Sequence, residues 1–306
     1  MPTLGQNQYG KAEVRVVRVL RDGATHHVRD LNVSVALSGA MEDVHRSGSN
    51  AAVLTTDTAK NTVFAFAREH GIASPEAFAA LLARHFVASQ PTIHRARIRV
   101  QEYAWDRIPT PGEGAHSFVR AGRETRTAQI THDATGDAPE WETLSGVTGL
   151  TVMNTTDSEF HGYLRDRYTT LPETRDRILA TDVTAVWRHG AATPPDADPA
   201  ADWDAAWASA RDHVLGAFAR TYSYSLQQTL FRMGSQVIEN LPGVDEIRLS
   251  LPNKHHFVVD LEPFGMKNEG PDGAVYFAAD RPYGLIEATV LREGAPARIP
   301  ADLTNL

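Results

Sequence analysis

The sequence predicts an α+β protein, with antiparallel sheets that gather their helices on one face. Three observations predict it. Stretches of alternating apolar and polar residues occur in both halves of the chain. Each half also carries two helical patterns between its strands. The order strand, strand, helix, helix, strand, strand then occurs twice, as a repeat of pattern without residue-by-residue identity. A length of 306 residues suits two such domains, divided at the turn-rich "ATGDAPE" of 134–140 into 1–138 and 139–306.

The elements follow in order. Residues 12–20 and 30–38 alternate as strands, and Leu31, Val33, Val35 and Leu37 share one face of the second. "TTDTAKNTVFAFAREHG" at 55–71 reads as a helix opened by Thr and Asp and closed by Gly71 at the C′ position. "SPEAFAALLARHFV" at 74–87 has Ser74 as N-cap, Pro75 at N1, and a buried stripe of Phe78, Leu81, Leu82 and Phe86. In "TIHRARIRVQEYAW", His94, Ala96, Ile98 and Val100 oppose Arg95, Arg97 and Arg99. Those arginines suit a solvated sheet face or an anion-guiding surface. Residues 116–131 add a further strand.

In the second half, strands are expected near 141–155 and 178–188. One helix follows around Trp203, Trp207, Val214, Leu215 and Phe218, and another through Leu226, Leu230, Met233 and Val237. Strands near 244–262 and 274–292 close the series. The acidic, Pro-rich loop at 189–202 reads as a solvated connection.

Composition narrows the function. A net charge of −8 argues against nucleic acid as the main partner. No apolar run is long enough for a bilayer and no leader precedes the first strand, so a cytoplasmic location away from membranes is expected. The chain ends in "DLTNL", without a Ser-Lys-Leu peroxisomal address. With no cysteine, disulfides, thiolate nucleophiles and Cys-ligated metals are excluded. The 13 histidines include no HExxH and no cluster with metal-ligand spacing, so no metal site is expected. The adjacent His255 and His256 of "LPNKHHF" lie on a predicted strand, which sends neighbours to opposite faces.

Several segments together resemble the urate oxidase (uricase) family. They are "YGK" at 9–11, "TTDTAKNTVFAFA" at 55–67, "HSF" at 116–118, "GLTVMNTTDSEFHGYLRDRYTTLPETRDRILATDV" at 149–183, and "LPNKHHF" at 251–257. They come in the family's order over most of the chain, and the long, idiosyncratic 149–183 stretch carries the most weight. One departure is Asn154, where the family usually has lysine.

The resemblance implies two tandem tunnelling-fold (ββααββ) domains that pair into a barrel, in a homotetramer with sites at subunit interfaces. It implies oxidation of urate by O2 and water to 5-hydroxyisourate and hydrogen peroxide, with no metal and no organic cofactor. Urate is a flat, delocalised anion, so a planar cation, an amide and an aromatic face suit it. The resemblance assigns these to Arg177, Gln227 and Phe160, with the Leu226 backbone N–H completing the rim and Asn253 beside O2 or the attacking water. Thr56 and Asp57 stand at a helix start, where capping alone explains them; the resemblance has them reach substrate from a neighbouring subunit. Lys11, Thr56 and His255 form the implied proton relay. His256 is left to packing.

Two other readings stand beside this one. Another purine or pterin enzyme of the fold is disfavoured where its chemistry needs cysteine. A non-catalytic purine-binding oligomer is disfavoured by the joint presence of Lys11, Thr56 and His255.

Overall fold

The computed structural model describes residues 2–109, 116–122, 124–190, 194–198, 200–268 and 273–303. Parts of the predicted acidic loop (191–193 and 199) and the last three residues lie outside them. The chain divides into two compact units. One comprises 1–147, 187–208 and 302–306, and the other 148–186 and 209–301.

The first unit opens with the hairpin β1 (Tyr9–Asp22) and β2 (Thr25–Gly39). Its tight turn needs the left-handed φ of 56° that Gly23 takes without strain. The register slips between Lys11 and Val14, where Glu13 takes a φ of 57° and its N–H turns to Ser34 Oγ at 3.0 Å. Such a bulge re-aims the side chains beside it, and Lys11 is one of them. A short helix, α1 (Glu42–Arg46), adds to the expected element order.

Next come α2 (Thr56–Glu69) and α3 (Pro75–Ser89). Thr55 caps α2 by accepting from Thr58 N, and Gly71 follows its end at a φ of 78°. Ser74 and Pro75 open α3 as expected, and its Phe78, Leu82 and Phe86 are buried, with Leu81 at the margin. They meet Leu31, Val33, Val35 and Leu37 of β2 in one apolar core.

The sheet continues through β3 (Ile93–Glu102). The predicted single strand at 116–131 is two: β5 (Phe118–Arg120), paired with the short β4 (Trp105–Arg107), and β6 (Thr125–Asp133), paired with β3. Gly122, at a φ of 68°, stands between them. Arg95, Arg97 and Arg99 lie on a half-buried face, not a solvated one. Desolvation, then the charge of the neighbouring arginine, lowers the pKa of Arg97 and Arg99.

A buried ionic network ties this unit together. Arg126 donates to Glu76 at 2.6 Å, to Asp204 at 2.6 Å and to the Trp203 carbonyl at 3.1 Å, while Ser145 donates to Glu76 at 2.7 Å. Burial pushes the Glu76 carboxyl up against the opposing pull of Arg126. Removing one partner leaves a charge stranded in a poorly solvating interior. Arg126→Met is therefore expected to destabilise the fold by about 3–5 kcal/mol, with Glu76→Gln restoring part of the loss in the double variant. Denaturant unfolding of the three variants against the parent checks it; an Arg126→Met midpoint equal to the parent's refutes it.

In the second unit, β7 (Glu140–Asn154) and β8 (Leu179–His189), whose far ends belong to the first, are followed by α4 (Trp203–Arg220) and α5 (Leu226–Asn240). The strands β9 (Val244–Val258) and β10 (Tyr276–Leu291) pair antiparallel beneath α5. The predicted strand at 244–262 ends at Val258, and a 3₁₀ turn follows at Glu262–Phe264. Asn154 donates to the Phe218 carbonyl at 3.0 Å, satisfying one acceptor in the last turn of α4. Gly234 faces the sheet so closely that a Cβ there would lie 2.5 Å from Val290 Cγ2. No helix among the described residues is long and apolar enough to cross a membrane.

Candidate active site

The second unit contains a cavity of about 550 Å3, a size that suits a small organic ligand. Phe160, Arg177, Leu226, Gln227, Asn253 and His255 all line it. They come from three places in the chain, and each is held for a local reason.

Phe160 and Arg177 lie on the two arms of an irregular excursion between β7 and β8. Phe160 N donates to the Thr174 carbonyl at 2.8 Å and Thr174 N returns a bond at 3.1 Å. Arg177 N donates to the Ser158 carbonyl at 2.9 Å, and Arg177 Nε to Ser158 Oγ at 3.2 Å. The Arg177 guanidinium carbon stands 5.3 Å from the Phe160 ring centre, within reach of a cation–π contact. Desolvation lowers the Arg177 pKa, though a guanidinium stays charged at neutral pH. The cavity therefore offers a poorly hydrated planar cation beside an aromatic face.

Leu226 and Gln227 begin α5. Ser225 caps it by accepting from Gln228 N at 3.2 Å. Their own N–H groups have no intrahelical acceptor, and they sit at the positive end of the helix dipole, where an anion is stabilised.

Asn253 and His255 come from β9 opposite an irregular stretch of β10, where the register slips between Ala279 and Gly284. The His255 ring stacks on Phe257 at 5.7 Å. Burial first, then the electrostatic influence of Arg177 and His256, lower the His255 pKa, which favours the neutral imidazole that can accept a proton. The intervening Lys254 is tied to Asp182 at 2.6 Å.

His256 also lines the cavity, although strand alternation separates it from His255. Its Nδ1 lies 3.0 Å from the Lys254 carbonyl. Sequence reasoning also missed Leu171, Pro172, Ile178, Tyr276 and Ile286, which supply apolar wall. No periodicity marks the loop residues among them, and the two on β10 carry no motif.

The other three predicted residues are in the first unit. Lys11 lies at the β1 bulge, and Thr56 and Asp57 occupy the first two positions of α2, one step inside the Thr55 cap. The Asp57 side chain holds Lys60 at 2.5 Å and Asn61 at 2.9 Å. Lys60 first, and more weakly the charge of Lys11, hold its carboxyl below the usual range. Asp57 thus spends its carboxylate locally and leaves its backbone N–H at the helix start. Among the described residues, no three of His, Asp and Glu converge as metal ligands.

Comparison with known proteins gives this geometry its context. The family model described as Uricase matches residues 7–131 and 143–287. The uricase of Arthrobacter globiformis is 50% identical over 297 residues, covering 97% of this chain and 92% of that protein. The Aspergillus flavus uricase is 35% identical over 301 residues, covering 95% and 98%. The crystal structure of the Arthrobacter globiformis uricase superposes with a TM-score of 0.88 at 50% identity, covering 98% of each chain. The Bacillus sp. TB-90 urate oxidase, at 21% identity, shares the fold with a TM-score of 0.81, over 94% of this chain and 100% of that one. The tunnelling fold expected from the sequence is thus present, and the chain belongs to the uricase family.

Proposed function

We propose that the second-unit cavity is the urate site of this oxidoreductase, and that urate is oxidised there by O2 and water to 5-hydroxyisourate and hydrogen peroxide. The observation that carries this reading is the convergence of Phe160, Arg177, Gln227, Asn253 and His255 on one cavity. Arg177 presents forked donors to two rim acceptors of a flat anion. Gln227 offers both a carbonyl and an amide to the adjacent edge. Phe160 stacks on the ring, and the Leu226 N–H donates to the rim at the helix start.

The balance is two electrons from urate to O2, with a hydroxyl from water bonding at the purine C5 and protons leaving to peroxide. Urate must first become more electron-rich by losing a proton. In this reading Lys11, Thr56 and His255 carry that proton, and Asn253 orients O2 or water. Thr56 and Asp57 come from a neighbouring subunit, so the working form is an oligomer, which the family resemblance makes a homotetramer. The two ββααββ halves, 1–138 and 139–306, form its barrels. Support comes from β1 and β10, each paired on one side and exposing Val17, Val19, Phe277 and Leu285. No metal or organic cofactor takes part, because the substrate itself is the reductant and the protein supplies position and charge. A cytoplasmic location fits this chemistry.

Mixing the protein with urate and following loss of its ultraviolet absorbance together with O2 uptake tests the reading. Turnover that survives exhaustive chelation supports the metal-free route. Binding of urate without absorbance loss overturns the catalytic assignment. Dilution to monomer is expected to abolish specific activity, and full activity in the monomer contradicts the shared site.

The pH profile gives an independent check. A neutral His255 accepts protons, and its depressed pKa extends the neutral form to lower pH than an ordinary imidazole allows. After correction for the substrate's own ionisation, the acid limb of kcat/KM is expected below the ordinary imidazole value. His255→Gln will lower activity and remove that limb. An acid limb at the ordinary imidazole value, or one that persists in His255→Gln, excludes the assignment.

A further inference from the structure

The Arg177 guanidinium has no ion pair among the described residues, yet it is substantially removed from water. One hydrogen bond sets its plane, the 3.2 Å contact from Nε to Ser158 Oγ. Ser158 is fully buried, at 0% exposure. It is also the centre of a small backbone junction. On one side it receives the Arg177 N–H at 2.9 Å. On the other it bridges Ser223 in parallel, with Glu159 N donating to the Ser223 carbonyl at 2.8 Å and Ser223 N to the Asp157 carbonyl at 2.8 Å.

Ser223 is equally buried, and Thr229 donates to its hydroxyl at 2.8 Å. The Ser223 hydroxyl in turn donates to the carbonyl of Ser225, the cap of α5, at 3.1 Å. The junction thus ties the Arg177 arm and the start of α5 to the same four residues, Asp157–Phe160, and Phe160 belongs to that segment.

We propose that Ser158 is the positioning residue for Arg177: by accepting from Nε it fixes the guanidinium plane and leaves both terminal nitrogens to grip the substrate anion. This deepens the urate reading and rests on it. A guanidinium free to rotate about its last bonds must be ordered by each substrate molecule, whereas one held at Nε is preorganised. Loss of a hydrogen bond to a charged group then falls on substrate affinity more than on the chemical step.

Ser158→Ala is expected to raise KM for urate by roughly tenfold with kcat changed less than about threefold. The decisive readout is its combination with Arg177→Lys. Lysine has no Nε–H in that position, so Ser158→Ala should cost almost nothing further in the Arg177→Lys background. A purely structural role gives the same loss in both backgrounds. If Ser158→Ala does not fold, the pair Ser158→Thr and Ser158→Val differs chiefly by the hydroxyl, and the threonine variant should show the lower KM. An unchanged KM in Ser158→Ala, additive losses with Arg177→Lys, or equal KM in the Thr and Val variants overturns the proposal. A parent protein that does not consume urate overturns the underlying reading instead.

Discussion

Arg177→Ala is expected to lower kcat/KM for urate by about 10²–10³-fold, and Arg177→Lys by about 10²-fold, without a matching loss of stability. The guanidinium is charged, half-buried and poorly hydrated, so its attraction for an anion is not spent on competing water. Its fork matches two acceptors on one edge of a planar ligand. Lysine restores charge but presents a compact, strongly hydrated point that cannot hold two acceptors in one plane. Steady-state kinetics with thermal melting on the same samples check this. A lysine variant within threefold of the parent means that charge alone suffices, and the bidentate reading fails.

Lys11→Met is expected to lower kcat by about 10²–10⁴-fold, the usual scale for loss of a proton-transfer group, while urate binding is largely retained. Methionine preserves much of the stem at the β1 bulge and removes the amine. In the proposed relay the Lys11 amine acts with Thr56 and His255 instead of alone. Binding measured under anaerobic conditions, set beside aerobic turnover, separates the two quantities. Unchanged turnover in Lys11→Met rules the relay out.

These positions differ in how far the sequence alone could reveal them. The helix starts at Ser74 and Ser225 follow local rules, since a short side-chain oxygen before an apolar run satisfies donors three residues away. The β2 core face follows from period-two alternation. Local rules failed at 116–131, where the pieces on either side of Gly122 blur into one strand-like stretch. They failed also for the wall formed by Leu171, Ile178, Tyr276 and Ile286, because which loop residues meet is decided by tertiary folding. Arg177 is instructive in another way. Its charged surroundings in the sequence ("PETRDRIL") read as surface, and only the family resemblance marked it. Ser158 carried no signal of its own, since a serine has many uses and its proposed role rests on complete burial against a guanidinium that has no ion pair among the described residues.

The close seat of Gly234 carries a meaning beyond packing. It lies eight residues beyond Leu226, so about 12 Å of stiff helix separates it from the end that lines the cavity. With no side chain between helix axis and strand, α5 rests directly against Val290 and Ile247. A rod supported near its middle turns a displacement at the support into a displacement at its tip. The seat of the Leu226 end is thus set in part at a position outside the cavity lining, and the missing methyl group at 234 is a spacer set to zero.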